Sequence, residues 1–149
     1  MKGGKRTQEE WYEVLKKGYV QYILKGPRSN KKLEPIHTWI GRKLAGRLKS
    51  LGNEWKIAFE WANPNINQNE IKGEYEIEGK YYNKKEDIVI LWDSKPIFAI
   101  SFKFITSNFK QNAINYFENL LGECANIKSA GIGFGHILVL QNKTPYLDR

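Results

Sequence analysis

Residues 86–105 read EDIVILWDSKPIFAISFKFI, two apolar runs split by DSKP, and their reading decides the fold. EDIVILW has the composition of a strand, DSKP is a tight-turn sequence, and IFAISFKFI is a second strand, so the pair reads as an antiparallel hairpin. Side chains alternate across a strand, which puts Ser101 and Lys103 on one face and Phe102 on the other. Asp87 opens the first strand, and the turn brings it beside the second. One carboxylate and one lysine can therefore meet near an end of the sheet.

Upstream, WKIAFEW (55–61) and GEYEIEGKYY (73–82) alternate with period two, separated by the polar turn sequence ANPNINQNE. Before residue 55 the period is helical. Trp11, Leu15, Tyr19, Tyr22 and Ile23 make the stripe of a first helix within residues 9–26, preceded by residues 1–8 as an expected flexible tail. Pro35 suits the first turn of a second helix, whose stripe is Ile36, Trp39, Ile40, Leu44, Leu48 and Leu51 and whose end is Gly52. Downstream, residues 107–126 read as a helix capped by Ser107 or Asn108, and GIGFGHILVLQ reads as a buried strand. A helix joining the last two strands is what a crossover needs, so those strands are expected to be parallel. The expected class is α/β: one domain over residues 1–149, with a central mixed sheet flanked by helices.

The composition suits one ordinary domain, with 149 residues and 41% hydrophobic content. Cys124 stands alone and cannot form an internal disulfide. With no secretory leader pattern and no membrane-length apolar run, a reducing, cytoplasmic setting without membrane association is expected. The net charge is +8, and residues 1–50 carry 13 Lys/Arg against 4 Glu. Such an excess suits a surface for a polyanion, because each neutralised phosphate releases counterions. Arg42, Lys43, Arg47 and Lys49 of the second helix could contact such a phosphate backbone, and a solvated basic face explains them equally well.

Asp87 within EDIVIL, the ISFK segment ending at Lys103, the helix SNFKQNAINYFENLLGE and the closing GHILVL strand together resemble the PD-(D/E)xK nuclease superfamily. The likeness spans roughly residues 34–141 as an order of elements. It implies a restriction-endonuclease-like αβββαβ core, here with an extra N-terminal helix, and hydrolysis of DNA phosphodiesters with Mg²⁺. Carried over, Asp87 is a metal ligand and Lys103 serves the attacking water or the developing charge. Ser101 stands where the pattern has an acid, and a neutral hydroxyl cannot replace a carboxylate for a hard cation; it is left as a hydrogen-bonding group of the site. Some restriction enzymes of the superfamily carry Ser-x-Lys on this strand and place the acid on the following helix. By that likeness Glu118 becomes the second metal ligand.

Other residues carry lesser expectations. Gln111 resembles a glutamine that follows the lysine strand in recombination-type nucleases and would touch nucleic acid. Glu34 resembles an acid that some relatives contribute from their first helix, while its place at a helix start gives it a structural role as well. Strict alternation points Glu86 away from Asp87, and His37 and His136 lack metal-ligand spacing and read as structural. An enzyme that reads a target sequence would need a homodimer or residues outside this chain. A nuclease fold that has lost cutting and acts as a DNA-binding or interaction module is the alternative function.

Overall fold

The computed structural model describes residues 2–106 and 109–140, with side chains from residue 4 onward. In chain order these are helix α1 (Lys2–Lys25), a 3-10 turn (Asn30–Lys32), helix α2 (Glu34–Lys49), and strands β1 (Trp55–Phe59), β2 (Glu70–Lys72), β3 (Tyr75–Glu78), β4 (Asn83–Glu86), β5 (Ile88–Trp92) and β6 (Lys95–Ile105). Helix α3 (Phe109–Ser129) and strand β7 (Gly133–Leu140) complete the order. The expected caps Ser107 and Asn108 lie outside the described residues.

The hairpin forms as its sequence dictates. Asp93 and Ser94 take positive φ values of 47° and 63°, the backbone of a two-residue I′ turn, and Trp92 pairs with Lys95 across it. A five-stranded mixed sheet grows around this hairpin in the order β2-β1-β5-β6-β7. Strands β1, β5 and β6 are successively antiparallel, while β6 and β7 are parallel, as the α3 crossover requires.

Alternation along the strands sends two sets of side chains to opposite faces. Ile57, Phe59, Ile88 and Phe102 meet Val14, Ile36, Ile40 and Leu48 from α1 and α2. Ala58, Val89, Leu91 and Ala99 meet Ile127 of α3, Ile132 and Ile77 of β3. Helices therefore cover both faces, and the face that carries Ser101 and Lys103 is the α3 face. The α2 layer lies close because Gly41 has no side chain: a Cβ there would stand 2.5 Å from the Phe59 ring.

Two expectations need correction. Helix α1 already begins at Lys2, so residues 2–8 extend the helix rather than forming a tail. The run at 73–82 does not join the main sheet; β3 pairs with β4 in a separate two-stranded sheet, and a short β2 takes the edge place beside β1. Period two identifies a strand but not its partner. The reason for the detour is Asn126 of α3, fully buried, whose side chain accepts the N–H groups of Tyr81 and Tyr82 at 2.8 and 3.2 Å and donates to Tyr82 O at 2.9 Å. The β3–β4 turn is thus tied to the helix.

Candidate functional site

Strand β6 outruns its neighbour. Ile88, the first residue of β5, faces Ile100, so Ser101 to Ile105 have a ladder partner only in β7. Asp87 stands at the bend between β4 and β5, half-buried, and its Oδ2 accepts the Phe102 N–H at 2.7 Å. A carboxylate here satisfies a donor that the sheet leaves over. The bond also fixes the carboxylate beside the stretch 101–103, where the Lys103 ammonium acts on it. Lys103 is exposed, whereas Ser101 is only 3% exposed.

Ser101 lies level with His136 on β7, so the two are neighbours on the α3 face. From α3 comes Glu123, buried despite its charge, with an ion pair of 3.0 Å to Lys84 of β4. Glu86 completes the group, 1% exposed and with Oε1 lacking any partner. Three carboxylates, Glu86, Asp87 and Glu123, thus share the field of two ammonium groups, Lys84 and Lys103.

The shortage of positive charge is visible in proton affinities. Burial pushes the Glu86 carboxyl up to about 8, and the Glu123 charge pushes the same way against Lys84. Burial also raises Asp87, opposed by the Phe102 N–H and Lys103 and assisted by Glu123. Burial lowers the proton affinity of Lys84, but Glu123, Glu86 and Tyr82 together outweigh it, so its net shift is upward. His136 is lowered by burial, and its Nδ1 is buried without a partner.

These groups fit a divalent cation in one specific sense. A carboxyl whose proton is held by burial, as that of Glu86 is, gains from an added positive charge, and its orphaned Oε1 is an oxygen with an unused lone pair. Among the described residues no three His, Cys, Asp or Glu side chains form a ready-made metal cage. Mg²⁺ seldom uses one, because it keeps waters and takes one or two carboxylates together with substrate phosphate.

The expected site residues are only partly brought together. Asp87 and Lys103 act on each other as the strand pattern implies, and Ser101 lies buried one residue before the Phe102 N–H that Asp87 accepts. Glu118 does not join them: it is exposed on α3, and the helix acid that acts on Asp87 is Glu123. A signal for this was available, because Glu123 falls on the stripe Tyr116, Leu120, Ile127 that turns toward the sheet. Glu86 and His136 were missed for different reasons. The bend at Asp87 breaks the alternation that pointed Glu86 away, and His136 gains its neighbours only through the parallel register. His37 lies on the other face, edge-on to Trp61 and Phe102 at 5.5 and 5.4 Å, and burial lowers it to about 4.

The basic residues lie elsewhere. Arg42, Lys43 and Arg47 are exposed on α2, in the layer across the sheet from α3, and Gln111 is exposed near the start of α3. Lys43 is engaged, 2.7 Å from Glu10 of α1 and over the Trp39 ring. Glu34 pairs with Lys31 at 3.0 Å. No helix among the described residues is long and apolar enough to cross a membrane.

No known protein family, curated protein or solved structure compared with this chain matches it.

Proposed function

We propose that this chain is a Mg²⁺-dependent DNA endonuclease of the restriction-endonuclease-like class, hydrolysing phosphodiester bonds at the Asp87–Lys103 cluster. The order α2-β1-β5-β6-α3-β7 supports the αβββαβ reading, with β2, β3 and β4 inserted between the first and second core strands. The observation that carries the proposal is the placement of Asp87 and Lys103 at one strand end, with a buried Glu123 supplied by the crossover helix.

Each residue has a task set by its surroundings. Asp87 and Glu123 would hold the cation, and Glu86 stands behind them as a carboxylate that gives up its proton when positive charge arrives. The metal, when bound, would polarise the phosphate and ease deprotonation of a water. Asp87 keeps its orientation because one oxygen is committed to the Phe102 N–H. Lys103, exposed at the mouth, can meet a phosphate oxygen and stabilise charge that builds up there. Ser101 supplies a hydroxyl in place of the acid common in the superfamily. His136 closes the side toward β7 as a neutral, partly desolvated ring.

Cleavage of supercoiled plasmid tests this reading. Activity should require Mg²⁺, disappear with chelator and disappear in Lys103→Ala; a well-folded wild type that leaves varied DNAs intact at all Mg²⁺ concentrations contradicts it. A second reading has one observation in its favour: Lys84 already neutralises Glu123 at 3.0 Å, as in a site that has exchanged its metal for an internal cation. That version binds DNA without cutting.

A further inference from the structure

A second feature of the molecule lies away from the acidic cluster. It is a cleft of about 1460 Å³ between α1, the start of α2 and the turn that follows β1. Small-molecule sites usually occupy about 300–1,000 Å³, so this one is large for a single compact ligand. Lys17 and Lys25 enter from α1, Arg42 from α2 and Lys72 from the end of β2, all four exposed. Lys31 and Lys43 also line it, each already paired with a glutamate. Glu34 and Glu60 are the lining acids, and Glu34 is the one that holds Lys31.

One wall is built rather than loose. The Asn63 N–H donates to Glu70 Oε2 at 2.8 Å, the Asn65 N–H to Asn63 Oδ1 at 3.0 Å, and Glu70 itself is 2% exposed. The turn is thus anchored to β2 with its asparagines at the cleft. The cleft also lies at a particular end of the sheet. Phe59, the last residue of β1, faces Ile88, the first of β5, so the chain enters the cleft wall next to where Asp87 stands.

We infer that this cleft is a binding groove for the phosphate backbone of a nucleic-acid strand, built by the N-terminal helix and independent of the acidic cluster. Cations delivered from three separate elements neutralise successive phosphates. They position a strand without reading its bases. The binding stands whether or not the cluster cuts, so failure of cleavage and failure of this groove are separate outcomes.

The test is fluorescence anisotropy with a labelled single-stranded DNA oligonucleotide, using the whole chain over a range of salt. Wild type should bind, and a Lys17→Glu/Lys25→Glu double variant should lose about tenfold or more in affinity with a salt slope shallower by about one or more. Reversal of Lys95 and Lys128, exposed and outside the cleft, should change affinity by no more than about twofold. Circular dichroism confirms that each variant is folded. The inference is overturned if wild type does not bind, if the Lys95/Lys128 variant loses as much as the Lys17/Lys25 variant, or if polyglutamate competes as well as unlabelled DNA.

Discussion

Asp87 Oδ2 accepts the N–H of Phe102 at 2.7 Å, and this bond joins a strand-end acid to the middle of the neighbouring strand. Phe102 itself points into the α1/α2 core, so its backbone position is set by packing on the far face. The carboxylate inherits that rigidity. A core residue on one side of the sheet thereby orients an acid on the other, next to Lys103.

The bond separates two roles of Asp87. Asp87→Asn keeps an acceptor for the Phe102 N–H and should leave thermal stability within about 1 kcal/mol of wild type while abolishing metal-dependent cleavage. Asp87→Ala strands the donor and should cost about 1–3 kcal/mol in addition. Chemical denaturation of both variants beside the cleavage assay distinguishes charge from scaffolding.

Glu86 should give the stability a pH dependence. Its folded carboxyl holds a proton up to about pH 8, against 4.5 ordinarily, so the folded state binds more protons between those values. Its contribution is therefore complete below 4.5 and lost as pH rises toward 8. His37 works in the opposite sense, lowered from 6.5 to about 4, and its contribution is lost as pH falls through that range. Above pH 6.5 the Glu86 effect stands clear of it. Without divalent cation, denaturation midpoints should fall from pH 6.5 to 8, by about 2 kcal/mol at most for Glu86, and Glu86→Gln should flatten the slope. Added Mg²⁺ should stabilise more at pH 8 than at 6.5, since ligand carboxylates must lose protons to bind it.

Asn126 holds the β3–β4 turn against α3, and Asn126→Ala removes an acceptor shared by two backbone N–H groups together with a donor to Tyr82 O. The expected cost is about 2 kcal/mol or more. Because Glu86 ends β4, the same variant should weaken the alkaline loss of stability described above. Hydrogen exchange should show faster amides at residues 75–86, with β5 and β6 still protected.

Gly41 tests the other layer. A methyl group there meets the Phe59 ring, and Gly41→Ala should cost about 1–3 kcal/mol by forcing α2 away from β1. Gly46, one turn further along α2, has open space, and Gly46→Ala should be neutral or slightly stabilising because alanine is the better helix former. Thermal melts of the two variants give the comparison.

Much of this architecture was legible in residues that interact locally. The DSKP turn, the alternation of IFAISFKFI and the helix between the last strands fixed the hairpin and the parallel pair, because each depends on short-range rules. The detached β3–β4 pair was not legible, since a buried asparagine far along the chain redirects it. The acidic cluster shows the same division. Asp87, Ser101 and Lys103 follow from one hairpin, whereas Glu123, Glu86 and His136 join through helix rotation, a bend and a parallel register that no single segment encodes. Glu118 sits a little more than one helical turn from Glu123, close in sequence but on the solvent side.

The most direct test is Mn²⁺ binding followed by electron paramagnetic resonance, with Mn²⁺ standing in for Mg²⁺. Wild type should show a bound ion, lost in Asp87→Asn and in Glu123→Gln and retained in Glu118→Gln. Binding that survives both of the first two substitutions, or that vanishes with Glu118→Gln alone, would contradict a cation site built from Asp87 and Glu123.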